Sequence, residues 1–232
     1  METDEQKRAA GEAAVERYVR SGMCVGLGSG STAYWAIRRV GERVAEGESI
    51  AAVATSQTTE DLCREWNVPV LGLLDRPIDL AIDGADEVAA DLALTKGGGG
   101  ALFREKAVAL AAARFVVIVD ESKVVERLGA FATPIEVVPY ALPWVERELG
   151  RAFPAARRVL RMRETKPFVT DNGNQILDVH FGVIDEPAIL EARVLAIHGV
   201  VDVGIFVGLA DEVIVAGVAQ VWTLYRKAAA RG

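Results

Sequence analysis

The chain has 232 residues, 51% hydrophobic and 25% charged, enough apolar side chains for a proper core and too many for a disordered segment. Its formal charge of -7, with no extended basic patch, argues against a nucleic-acid surface. The longest apolar stretches, such as Phe115 to Val119, fall far short of the roughly 20 residues a membrane-spanning helix needs, and the charged start METDEQKRAA is not a leader peptide, so a soluble cytoplasmic protein is expected.

In chain order, apolar residues at helical spacing predict a helix over Asp4 to Val19. Met23 to Leu27 reads as a buried strand that runs through Gly28-Ser29-Gly30-Ser31-Thr32 into a helix from Ala33 to Ala45. Strands are predicted at Ile50 to Ala54, Val68 to Leu74, Leu80 to Ile82 and Phe115 to Val119, with helices at Gln57 to Trp66 (capped by Thr55-Ser56) and Ala101 to Ala113. Apolar strands alternating with helices imply a parallel sheet covered on both faces, an α/β fold. From Pro134 the rhythm changes. Ile135 to Pro139, a short helix at Trp144 to Leu149, strands at Val159 to Arg163 and Phe168 to Val179 with a hairpin turn at Asp171 to Asn174, a helix at Pro187 to Ile197 and Val200 to Val207 form a smaller α+β unit. A last strand, Asp211 to Ala216, and a helix, Ala219 to Ala230, complete the pattern.

Chemistry concentrates in Leu80 to Lys106. Asp83 and Asp86 fall at the carboxyl end of a strand, where parallel sheets place ligand sites, although an Asp-Gly turn capped by its own side chains is the plainer reading of Asp83-Gly84-Ala85. Two carboxylates so close repel, so one should titrate high and carry protons; Asp79 and Glu87 read as surface charges. Glu105 shares a helix face with Ala101, Leu102, Val108, Ala109 and Ala112, so one acid points where everything else is apolar. It is either ion-paired, with Lys96 or Lys123, or a general base whose pKa burial raises. Lys96 and the run Gly97 to Gly100 offer a cation and backbone N–H groups for a developing oxyanion. The Gly26 to Thr32 loop is neither a dinucleotide fingerprint nor a Walker loop; it reads as a tight turn or, preferably, as a cradle for a small phosphate. Lys123 follows a strand end and is a phosphate cation or a surface lysine. Cys24 and Cys63 suit a reducing compartment, and with His180 and His198 they form no metal-ligand spacing. Arg157, Arg158, Arg161 and Arg163 alternate with apolar residues as the wet face of a strand would.

Taken together, GLGSGST (26–32), DGADEV (83–88), KGGGGALFREK (96–106), DESKVVERLG (120–129), PIEVVP (134–139) and TDNGNQILDV (170–179) closely resemble the A-type ribose-5-phosphate isomerases, in family order over most of the chain. The resemblance implies a Rossmann-like domain (1–133 and 206–232) with a ferredoxin-like α+β domain (134–205), in a homodimer or dimer of dimers. It implies an aldose–ketose isomerase of the non-oxidative pentose phosphate pathway, acting on D-ribose 5-phosphate and D-ribulose 5-phosphate through a cis-enediolate, with no metal, cofactor, nucleic-acid or membrane partner. Glu105 matches the family's general base, Asp83 and Asp86 its acidic pair, and Lys96 its active-site lysine. Ser29, Gly30, Ser31, Thr32, Gly84, Ala85, Gly97, Gly98, Gly99 and Lys123 match substrate-contacting positions, as Lys7 does more loosely. Ser29 stands where threonine is common, which keeps the hydroxyl. A sugar-phosphate sensor or a coenzyme A transferase-like protein of the same fold is the alternative.

Overall fold

The structure, a computed structural model, describes residues 3–226. Helix α1 (Thr3–Tyr18) precedes β1 (Cys24–Leu27), α2 (Ala33–Ala45), β2 (Ala51–Ala54), α3 (Gln57–Glu65), β3 (Leu80–Asp83), β4 (Glu87–Val88), β5 (Leu94–Thr95), α4 (Leu102–Ala111) and β6 (Phe115–Asp120). Then come β7 (Thr133–Val137), α5 (Leu142–Ala152), β8 (Arg157–Leu160), β9 (Met162–Arg163), β10 (Lys166–Pro167), β11 (Gln175–His180), α6 (Pro187–Leu195), β12 (Val200–Val203), β13 (Ile205–Phe206), β14 (Glu212–Ala216) and β15 (Val221–Tyr225).

The central sheet has the order β15-β14-β6-β3-β1-β2, parallel except for the edge strand β15. Its strands are apolar on both faces because both are covered. Val116 and Ile118 of β6 join a cluster with Ala10, Ala14, Ile37 and Val40 of α1 and α2, while Val117 and Val119 join Val108 and Phe206 on the other side. Thr133 to Val203 forms a βαββαβ unit whose antiparallel sheet has the order β12-β7-β11-β8, the ferredoxin-like arrangement, with its own cluster around Ile135, Val145, Leu149 and Val194. A three-stranded sheet, β13-β5-β4, joins the two.

Several predicted elements differ. Val68 to Leu74 is not a strand: it makes a single parallel bridge, Ala52 to Val70, and Gly72 N–H then turns to Asp75 Oδ2 at 2.7 Å, leaving Leu74 exposed. The described part of the expected C-terminal helix is the strand β15, since Val-Trp-Thr-Leu-Tyr is β-branched and aromatic and a turn closed by Gly217 N–H to Gln220 O returns it along β14; residues 227–230 lie outside the described residues. Finally, Asp171 to Asn174 does form a turn, but Phe168 to Thr170 pairs with no strand. The hairpin there is β9–β10, and Val200 to Val207 breaks at Gly204, where an added Cβ would lie 2.2 Å from Lys96 O.

Candidate active site

The loops after β1, β3 and β6 all leave the carboxyl edge of the parallel sheet, and they meet the glycine turn that precedes α4. A cavity of about 150 Å³ lies there, lined by Lys7, Ser29, Gly30, Ser31, Thr32, Gly84, Ala85, Asp86, Lys96, Gly97, Gly98, Gly99, Glu105 and Lys123. Every site residue named from the sequence is on its wall except Asp83, which lies behind it and is 3% exposed.

At the base of the cavity three charged side chains share one buried cluster. Lys96 Nζ lies 3.0 Å from Asp83 Oδ2 and 3.2 Å from Glu105 Oε2, all three side chains being nearly inaccessible. Its well-aligned hydrogen bond goes instead to Gly84 O at 2.6 Å, so both carboxylate oxygens face the ammonium charge without an aligned donor. Asp83 Oδ1 is better served, accepting from Gly84 N–H at 2.7 Å and Ser29 N–H at 3.1 Å. Burial pushes the Glu105 carboxyl up to about 8; the nearby Asp83 charge adds to this and Lys96 opposes it. Asp83 is raised too, by burial, against the pull of Lys96 and the two backbone donors. Burial alone would lower Lys96, but the Asp83 and Glu105 carboxylates overcome it and hold the ammonium well above its usual range. The cluster is therefore one fixed cation between two acids that cannot both ionise easily. The repulsion expected between Asp83 and Asp86 falls mainly between Asp83 and Glu105, because Asp86 is turned to the cavity wall, where its Oδ2 accepts from Gly98 N–H at 2.8 Å.

Local sequence explains this placement. Leu102, Glu105, Val108 and Ala109 form the buried stripe of α4, so the helix carries its single inward acid to Lys96. Gly28 has to be glycine: a Cβ there would sit 1.8 Å from Asp83 Oδ1. Ser29 turns its hydroxyl away from the cavity's interior into a cluster with Thr55, Ser56 and Thr59, at 2.8, 2.9 and 3.2 Å. What faces the cavity at this end is the start of α2, where Thr32 makes no capping bond with its side chain, together with Lys7 and Lys123.

Several supporting residues escaped the sequence reading. Glu87, read as a surface charge, is 3% exposed and accepts from Thr95 Oγ1, Gly129 N–H and Phe131 N–H; a two-residue strand is too short to show which way it points. Phe206 lies under Lys96, with Nζ 5.6 Å from the ring centroid. Arg161 and the Asp171–Asn172 turn, both from the βαββαβ unit, reach the glycine turn and Arg104 respectively. Cys24 and Cys63 are free and buried, with the Cys63 thiol pushed up to about 12 by burial. Among the described residues no group of three His, Cys, Asp or Glu is placed to hold a metal ion, and no helix is long and apolar enough to cross a membrane.

Residues 51–220 match the family described as ribose 5-phosphate isomerase A (phosphoriboisomerase A). The chain belongs to that family. Ribose-5-phosphate isomerase A of Bartonella quintana (strain Toulouse) is 47% identical over 221 residues, covering 93% of this chain and 94% of the relative. That of Bacillus mycoides (strain KBAB4) is 44% identical over 211 residues, covering 90% and 94%. Among solved structures, a D-ribose-5-phosphate isomerase in complex with phospho-erythronic acid superimposes with a TM-score of 0.93 at 39% identity, covering 97% of this chain and 100% of that one. The ribose 5-phosphate isomerase of Plasmodium falciparum gives 0.93 at 34% identity, covering 97% and 100%. Members of the ribose 5-phosphate isomerase A family are isomerases, and the chain matches them from α1 through the central sheet to the βαββαβ unit.

Proposed function

We propose that this chain interconverts D-ribose 5-phosphate and D-ribulose 5-phosphate, with Glu105 moving the carbon-bound proton. The observation that carries the reading is the buried Lys96 ammonium held between Asp83 and Glu105 beside a turn of backbone N–H groups. An aldose–ketose shift needs a base at C2 that also serves C1, and a positive site for the oxygen that becomes negative in between. Glu105 supplies the first. With its carboxyl raised to about 8 it is a far stronger base than an exposed glutamate, yet it still yields the proton back. Lys96 and the Gly99 N–H of the glycine turn supply the second, Gly98 N–H being engaged by Asp86.

In this scheme the open-chain sugar lies with C1 and C2 over Glu105 Oε2. Glu105 takes the C2 proton, the electron pair forms the C1–C2 double bond of a cis-enediolate, and the negative oxygen faces Lys96. Returning the proton to C1 yields the ketose. Protons on oxygen pass through the Asp83–Asp86 pair: Asp86 touches the sugar hydroxyls from the wall, and Asp83, behind it, holds Lys96 and receives the ring-opening proton when its unbonded Oδ2 is reached. The phosphate sits where the α2 N-terminus, Ser31 and Thr32 face Lys7 and Lys123, since helix N–H groups and ammonium groups favour an anion. Ser29 contributes through its backbone and the shape of the loop, its hydroxyl being engaged elsewhere.

The phospho-erythronic acid bound by the structural relative fits the same chemistry, because its planar carboxylate resembles an enediolate. Incubating the protein with ribose 5-phosphate in deuterated water tests the reading. Ribulose 5-phosphate should accumulate, carrying deuterium at C1 in proportion to how often the proton on Glu105 exchanges with solvent before it is returned; no conversion of the pentose phosphate would overturn it.

A further inference from the structure

The glycine turn is held from outside the cavity by Arg161, one of the arginines whose alternation suggested a solvated strand face. Arg161 follows β8, and its Nη1 donates to Gly97 O at 2.8 Å and to Gly98 O at 3.1 Å. The other edge of the guanidinium is bound by Asp178 of β11, which accepts from Nε at 2.9 Å and also from Nη2. Phe168 packs beside both: its ring centroid is 5.8 Å from the guanidinium carbon, and an added Cβ on Gly100 would fall 2.4 Å from its Cζ. Arg161 is 14% exposed and Asp178 22%, so this is a built contact and not two mobile surface chains.

Its direction matters. In a trans peptide the C=O of one residue and the N–H of the next point opposite ways. With Gly97 C=O and Gly98 C=O aimed at Arg161, the N–H groups of Gly98 and Gly99 are turned towards the cavity, where Gly98 N–H already meets Asp86 at 2.8 Å. A cationic donor on the carbonyl oxygens also polarises those peptides, which strengthens the N–H groups on their far side. Asp178 binds the edge remote from the turn, so the ion pair presents its positive end to the glycines.

We propose that Arg161, fixed by Asp178, is a positioning residue for the isomerisation: it orients and polarises the Gly97–Gly98 and Gly98–Gly99 peptides, so that Gly98 N–H holds Asp86 on the cavity wall and Gly99 N–H is turned to the negative oxygen of the intermediate. This rests on the isomerase reading above and deepens it. A mere tie between the two sheets would affect stability; a positioning role affects the intermediate more than the substrate.

The test compares Arg161→Met, Arg161→Lys, Arg161→Ala and Asp178→Asn with the unaltered protein, measuring kcat, KM, the inhibition constant of phospho-erythronic acid, and Tm. Since removing a single direct oxyanion donor costs about 10²–10³-fold in kcat, loss of its support in Arg161→Met should cost roughly 10–100-fold, with KM nearly unchanged. Phospho-erythronic acid should weaken by a similar factor, and Arg161→Lys should recover part of the loss. The groove beside Arg161, about 480 Å³ and bordered by Phe131, Val159 and His180, is large enough to admit free guanidinium. Low concentrations of that ion, well below those that unfold the protein, should restore turnover to Arg161→Ala where sodium chloride does not. Turnover of Arg161→Met within about twofold of normal, or a loss traced wholly to a smaller folded fraction, would overturn the proposal. If Glu105→Gln is inactive in the same assay, that failure leaves the isomerase reading standing; if Glu105→Gln is also active, the reading itself falls.

Discussion

A carboxyl group 3.2 Å from a buried ammonium would ordinarily titrate low, yet Glu105 is pushed up to about 8. Desolvation outweighs the single cation, which Glu105 has to share with Asp83. Because the active form of a base is the unprotonated one, kcat/KM should rise with pH and level off above about 8, the limb belonging to Glu105 in the free protein. A pH–rate profile between 5.5 and 9.5 (about the range a globular protein tolerates) would show it; a profile already flat at pH 6 would contradict the assignment. The sign for stability is opposite. The folded protein holds this proton more tightly than the unfolded chain does, so the group contributes stability that is present below its ordinary value of 4.5 and is lost as pH rises through about 8. At this scale Glu105 was legible in the sequence because a lone acid on an apolar helix stripe needs a reason. Glu87 and the Ser29 hydroxyl were not, because their partners come from residues 129–131 and 55–59, brought close only by the fold.

Between elements, the turn after β1 and the end of β3 are fitted to each other at Gly28. Asp83 is tethered by Ser29 N–H and Gly84 N–H, so it cannot swing aside from a methyl group placed 1.8 Å from its Oδ1. Gly28→Ala should therefore lower Tm, by overpacking worth about 1–3 kcal/mol, and reduce turnover sharply by displacing the Lys96 cluster. Melting and steady-state assays would check this, and a variant with normal Tm and normal kcat would contradict the packing described. Strand–loop–helix units were readable up to β3 because apolar runs punctuated by glycine allow few other structures. The edges were harder. Val221 to Tyr225 carries no period that distinguishes a helix end from an edge strand, and its pairing along β14 decides it. The short β4 and β5 pair with each other and β5 with the distant β13, and β4 also bridges Val124 through Val88, so no local pattern announces them.

For the molecule as a whole, the site belongs to both sheets. The parallel sheet brings Ser29, Asp83 and Lys123 to its carboxyl edge, and the βαββαβ unit closes the arrangement with Arg161 on the glycine turn and Asp171 on the N-terminus of α3, where Gln57 N–H meets Asp171 Oδ2 at 2.7 Å. Motifs pointed to the half of this arrangement proposed to be catalytic, since glycines and acids in strand-end loops carry chemistry by type. The supporting half was not legible, because Arg161 and Asp178 look like any exposed charges until the sheets are docked. The division at residues 134 and 205, and assembly into a dimer or dimer of dimers, remain proposals that proteolysis and sedimentation would examine. The proposed chemistry turns on one buried glutamate that moves the carbon-bound proton. Glu105→Gln keeps the shape and removes the base, and its turnover of ribose 5-phosphate, measured beside the affinity for the same sugar, tests that directly. A loss on the order of 10²–10⁴-fold in kcat with binding retained is expected. Near-normal turnover in that variant would contradict it.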